Sequence, residues 1–429
     1  MSSLSSVVRA MCAHRADTGD RLTAHLAAHP DDVEALCLKG FACLMLGRAD
    51  RLDTAADAEA AARRVLADGR DANPRHRQLV DVLRAWRDDR PLEAADGFDQ
   101  LLRADPCDLL ALKVQHSLYL MTGAPARMRA SLERVLPAWD RADADTGFVL
   151  GCYAFALEET GDFARAERVG REAVARQPQD AWAIHAVAHV FESLGRAREG
   201  VAWLAAHEPG YAGCNVFLGH VHWHRALLYL QLGEPGRALD IYDQHVAVPW
   251  TGDYRDMSNA VSLLWRLEHD GVDVGDRWQR LVTIAIERAG DHRSAFALAH
   301  YVAALVHGGR VDAAAGAVAA MPARVPPGAS PGGQAAVVSE VARPLCEGIV
   351  ALHAGHGPHA YAALAPIASV LERIGGSNAQ RDLFLLMLIE SALAAGETAA
   401  ASRAIATRQR LRPHDPWLRT RARALAGVA

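Results

Sequence analysis

The side chains best suited to chemistry in this 429-residue chain are its histidines, twenty in all, and they are unevenly spread. His185 and His189 stand four residues apart, with Glu192 three further on. His220 and His224 repeat the spacing, with His222 and Trp223 between them. On a helix turning about 100° per residue, offsets of four and seven return to within about 40° of the start. His185, His189 and Glu192 therefore form one stripe, and His220 and His224 another.

Such stripes suit three kinds of chemistry. Three or four imidazoles (His185, His189, His220, His224) hold a borderline divalent metal such as zinc, with Glu192 as ligand or general base. Without a metal, imidazoles move protons near neutral pH, a carboxylate such as Glu192 or Asp243 fixing the tautomer. Imidazole and indole also recognise a carboxylate, amide or ring without reacting. Trp182, His222, Trp223, Asp243, His245, Asp253, Asp256 and Arg381 are the expected ligand-binding residues around the five candidate catalytic ones. Against this stands a plainer role, that of core histidines satisfied by backbone or carboxylate. The HExxH order of zinc proteases is absent, as are GK[ST] phosphate loops and a GxGxxG after a strand.

Weaker signals lie elsewhere. Gly375-Gly376-Ser377 reads as a helix cap whose amides could hold an anion, with Arg381 as a bidentate donor. Asp253, Arg255 and Asp256 follow Pro249-Trp250 in a loop that could rim the cleft. Trp265, Arg266 and Trp278 would make a cation–π wall but have the spacing of core residues. Cys214 precedes the second histidine stripe and reads as a buried thiol rather than a nucleophile. His353, His356 and His359 drift about 60° backward per step, so they cannot share one metal on a regular helix, and Gly355, Gly357 and Pro358 mark a turn.

The elements that must position these residues follow from an internal period. Segments of 10–15 residues rich in Ala, Leu and Arg alternate with breaks at Gly and Pro, and β-branched alternation is scarce. With Gly161 as an inter-helix turn, Ala166, Ala173 and Pro178 follow at fixed offsets, and Gly195 opens the next unit 34 residues on. The ladder recurs as Ala94, Phe98, Leu101, Pro106 and Gly123; as Gly309, Ala314 and Pro326; and as Gly396, Ala401 and Pro413. Gly233 with Ala238 leads to Gly271 after 38 residues. Small residues let paired helices approach, Pro ends the second helix, and 34 residues is the tetratricopeptide period. The expectation is an all-α superhelix, a solenoid of tetratricopeptide-like helix pairs. It spans 1–429 as one continuous array, with a Pro/Gly-rich loop near 322–334. First helices of adjacent repeats lie about 8–10 Å apart. The two histidine stripes should therefore converge in one concave pocket.

Several stretches go beyond generic repeats. They are Asp180-Ala-Trp182-Ala-Ile-His185-Ala-Val-Ala-His189 with Glu192, and His220-Val-His222-Trp223-His224-Arg-Ala-Leu227. Others are Tyr242-Asp243-Gln-His245, Ser262-Leu-Leu-Trp265-Arg266-Leu267, Gly275-Asp276-Arg277-Trp278, and Gly375-Gly376-Ser377-Asn378-Ala-Gln380-Arg381-Asp382. Together these resemble the tetratricopeptide repeat protein 38 family over about Asp31 to Pro413, most densely between 180 and 280. The resemblance implies an all-helical repeat protein and no settled chemistry. One departure is Leu298, two positions before His300, where a polar residue is expected; it argues against a catalytic His300.

Composition narrows the function. Forty-six Lys and Arg against fifty-one Asp and Glu give a net charge of −5, without the basic excess of a nucleic-acid protein. Seven scattered cysteines without a CxxC pair read as reduced thiols. No apolar run reaches membrane-span length and no secretory leader is visible, so the expected compartment is the cytoplasm. Two readings result: a repeat module binding a small polar ligand or peptide in its groove, or an enzyme working on a small organic substrate through the histidine cluster. A metal is possible in either, and the oligomeric state is not readable.

Overall fold

The computed structural model describes residues 3–140, 143, 145–247 and 253–412. Helices account for its regular structure; the only extended pairing among the described residues is a single bridge between Arg15 and Cys214. No described helix is long and apolar enough to cross a membrane.

The helices pair as the repeat ladder requires. Gly123, Gly161, Gly195, Gly233, Gly271, Gly309 and Gly396 all have φ between 63° and 83°, the left-handed region that stops a helix and reverses the chain. At Gly195 the turn closes with Arg196 N–H donating to Phe191 O at 2.8 Å. Second helices often open on proline, as at Pro91, Pro125 and Pro235, where the missing N–H costs nothing. The small ladder residues Ala94, Ala166, Ala173, Ala238, Ala314 and Ala401 are buried. At Gly170 a β-carbon would lie 2.5 Å from a Val187 methyl on the following helix, so glycine lets the two helices approach. Pro413 lies outside the described residues, as do Pro249 and Trp250.

The chain divides into two compact units. The first comprises 1–187, 207–217 and 327–336. Its helix pairs are Val33–Met45 with Leu52–Ala67, Pro74–Arg87 with Pro91–Ala104, Leu109–Met121 with Pro125–Val135, and Thr146–Glu159 with Phe163–Arg176. Residues 213–215 join the N-terminal segment: Ala16 N–H donates to Gly213 O and Asn215 N–H to His14 O. The Pro/Gly-rich stretch is irregular through Gly333, and its end is pinned by Asp89, whose carboxylate accepts from Gln334 and Ala335 N–H at 2.8 and 3.0 Å.

The second unit comprises 188–206, 218–326 and 337–429. Its pairs include Tyr254–His269 with Arg277–Arg288, Ala295–His307 with Val311–Ala320, Arg343–His353 with Gly357–Leu364, and Asn378–Ala394 with Thr398–Leu411. Its core runs through Leu263, Leu264, Val302, Leu305, Leu345 and Leu383. Two helices carry the histidine stripes, Ala181–Ser193 and Phe217–Gln231. The first passes from one unit into the other at Val187 and Ala188. His353 closes one helix, His356 sits in the turn and His359 lies in the next helix, so that run is split as its glycines require.

Candidate functional site

In the second unit three histidines of the two stripes come together. One ring nitrogen each of His189, His220 and His224 lies within 4.8 Å of the other two. All are buried, His224 completely. Trp223, fully buried, stacks on His220 at 5.2 Å. The imidazoles are thus held by packing as well as by polar bonds.

The tautomers follow from the partners. His224 Nδ1 is 2.6 Å from Glu192 Oε2, a carboxylate that can only accept, so Nδ1 carries the hydrogen. His220 Nδ1 is 2.9 Å from Asn259 Oδ1, a carbonyl oxygen that again requires a donor. Burial lowers the His220 pKa to about 4, against the Asn259 hydrogen bond, and holds His224 well below the ordinary value, so both rings are neutral at pH 7. Each Nε2 then presents a lone pair, and the two Nε2 atoms face each other at 3.2 Å. Two lone pairs at that distance repel unless a cation sits between them.

Glu192 is held from its other side by Arg412, whose Nη2 donates to Oε1 at 2.7 Å. Both carboxylate oxygens are therefore engaged, which makes Glu192 an orienting group here rather than a free base. Arg412 and Arg408 also meet Asp382, Arg408 through two hydrogen bonds of 2.6 and 2.9 Å, and Arg266 approaches the same carboxylate at 3.3 Å. These guanidinium groups hold the Asp382 carboxyl well below its usual range against the opposing effect of burial.

The remaining sequence candidates have partners of their own. His185 is on the helix of His189, one turn earlier, and belongs to the first unit, where its ring stacks on Phe155 and approaches Trp182 at 5.1 Å. His222 stacks face to face on His245 at 3.9 Å, on the side of the helix away from His220 and His224. Asp243 is paired bidentately with Arg277, not with a histidine. Asp253 caps helix Tyr254–His269 and clamps Arg255, and Asp256 is buried in that helix's first turn. Arg381 is turned back on its own helix cap, donating to Gly376 O and Asn378 Oδ1, while Ser377 completes the expected capping box.

Among the weaker candidates, Trp278 donates to Glu268, Trp265 sits edge-on to His269, and His300 donates to Phe296 O. Burial pushes the Cys214 thiol up to about 12, which leaves it inert as a nucleophile at neutral pH.

Sequence reasoning missed Asn259, Arg412 and Arg408, and named Asp382 only as the end of a motif. Asn259 leaves one trace, a cluster of buried polar residues (Asp256, Ser258, Asn259, Ser262) within one helix. Arg412 lies 220 residues from Glu192, and no local spacing signals that pairing.

No family model matches the chain. Among solved structures, it is similar to the TPR domain of P58(IPK), at 13% identity and a TM-score of 0.24, over 83% of this chain and 99% of that one. It is also similar to a structure of Naa15/Naa10 bound to HypK-THB, at 11% identity and a TM-score of 0.25, over 87% of this chain and 63% of that one. The helical-repeat assignment stands on the helix pairs and their 34-residue register.

Proposed function

We propose that this chain is a tetratricopeptide-type repeat protein whose second unit holds a divalent transition metal, zinc foremost, on His189, His220 and His224. The site binds a small polar molecule, and as an enzyme it would act on such a molecule through the metal. The observation that carries the reading is the pair of Nε2 atoms 3.2 Å apart, each on a ring whose Nδ1 is tied to an oxygen acceptor. Two imidazole nitrogens on one tetrahedral zinc, at about 2.0–2.1 Å from it, lie about 3.3 Å apart. A carboxylate or carbonyl on the far nitrogen is the usual support of a metal-bound histidine.

When bound, the metal would polarise a ligand oxygen or lower the pKa of a bound water. Glu192, braced by Arg412, fixes the His224 ring and its tautomer, and Asn259 does the same for His220. Burial of the cluster favours a small ligand over a peptide. Membership of the tetratricopeptide repeat protein 38 family and one continuous array over 1–429 belong to the same proposal. So does a reducing, cytoplasmic setting, which suits seven free cysteines.

Elemental analysis of tag-free protein purified without chelator tests the reading, alongside His224→Ala and His220→Ala. About one zinc or neighbouring first-row metal per chain, lost in both variants, is the expected result. Metal-free native protein that also fails to take up added zinc would overturn it and leave a shared proton between His220 and His224.

A further inference from the structure

The first unit contains a second polar cluster, unconnected with the metal proposal. Lys113, on helix Leu109–Met121, is only 4% exposed, and its ammonium lies 4.6 Å from the centre of the Trp182 ring. Among the described residues it forms no ion pair and no side-chain hydrogen bond. The side chain is thus largely buried, with a ring face against its ammonium and the Asp180 carboxyl acting on it through space, but no acceptor holds it.

Three neighbours are also short of partners. His116 is buried, and neither of its ring nitrogens makes a hydrogen bond; its ring meets Trp182 edge-on at 5.4 Å. Trp182 Nε1 is buried without an acceptor. Asp180 accepts Trp182 N–H on Oδ1 at 3.0 Å, but Oδ2 is buried and makes no hydrogen bond. Buried polar atoms rarely go unpaired, so several converging on one indole call for a missing partner. Aromatic walls enclose the indole: Phe155 at 4.7 Å, His14 at 5.4 Å and Phe217 at 5.5 Å.

The chemistry of the partner follows from the inventory. An ammonium and an indole N–H are donors for an anionic oxygen. One fixed cation beside a carboxyl group matches a single negative charge better than the double charge of phosphate. Asp180 Oδ2 supplies an acceptor for a hydroxyl or amino hydrogen. Burial pushes the Asp180 carboxyl up to about 7 against the pull of Lys113, so it can also meet a hydroxyl as a donor. We infer that Lys113, His116, Asp180 and Trp182 form a binding site for a small monocarboxylate that also carries a hydroxyl or amino group. Lys113 and Trp182 hold the carboxylate, and Asp180 reads the second group.

Isothermal calorimetry on the full chain tests this with four probes: L-lactate, glycine, acetate and inorganic phosphate. Lactate or glycine should bind saturably and at least tenfold more tightly than acetate, with phosphate weaker still. Lys113→Met should weaken that binding at least tenfold while the circular dichroism spectrum is kept. Asp180→Asn should shrink the preference over acetate without abolishing acetate binding. His220→Ala should bind as the unaltered protein does, which separates this site from the metal centre. The inference is overturned if folded unaltered chain binds neither lactate nor glycine, or prefers phosphate. Should Lys113→Met fail to fold, Lys113→Gln takes its place, and unweakened binding by the folded variant would equally overturn it.

Discussion

At the scale of single residues, the metal proposal depends on how the far nitrogens of two imidazoles are held. Glu192→Gln keeps an acceptor for His224 Nδ1 but removes the charge facing Arg412. It should lower zinc affinity about 10–100-fold while leaving helix content unchanged, as measured by chelator competition and circular dichroism. The HxxxH pairs that supply His220 and His224 were legible as sequence, because spacing on one helix is a local property. Asn259 and Arg412 were not, because only tertiary packing brings them to the cluster. The same distinction applies to Asp243, which could be placed near histidines on paper but is taken by Arg277.

A second prediction belongs here. Burial lowers the His300 pKa to about 4, from an ordinary 6.5, so between these values the unfolded chain binds a proton that the folded chain refuses. Stability therefore rises with pH across that window; the contribution is complete above about 6.5 and is lost as pH falls towards 4. Its size is of order 3 kcal/mol. Urea unfolding of His300→Leu between pH 7 and 4 should show a shallower loss of stability than the unaltered chain.

Helices and turns were read more completely, since a turn glycine, a small contact residue and a terminal proline are marked in the sequence itself. One turn escaped the pattern. Asp89 stands 34 residues before Gly123, where the ladder calls for glycine, and adopts φ 60°. Its carboxylate caps the backbone at Gln334 and Ala335, far along the chain. A non-glycine residue in this conformation is tolerated best by Asp or Asn. Asp89→Ala should lose the caps and also strain the turn, at about 2–3 kcal/mol. Asp89→Gly loses the caps alone and should cost about 1 kcal/mol less. Denaturant titration of both gives the difference, and limited proteolysis should cut the 322–334 stretch faster in each. Equal stability of all three chains would remove Asp89's role. The Pro/Gly-rich composition foretold an irregular stretch there but not its anchor, since a cap between residues about 245 apart leaves no periodic trace.

Over the whole chain, the near-neutral composition and the 34-residue register were enough for the all-helical repeat class, because each repeat buries its apolar faces against its neighbours. What the repeats carry was only half legible: histidine types and spacing were visible, but their tautomers and supports depend on contacts between distant helices. A metal bound only by the folded chain also stabilises it by mass action, by about 4 kcal/mol at a thousandfold excess over Kd, so zinc should raise the unfolding temperature. The most direct measurement is cobalt(II) substitution followed by absorption spectroscopy. The account predicts one equivalent of cobalt with visible bands of a four- or five-coordinate nitrogen-rich site, abolished by His224→Ala and displaced by zinc. Cobalt that gives no such bands, or bands that survive loss of His224, would contradict it.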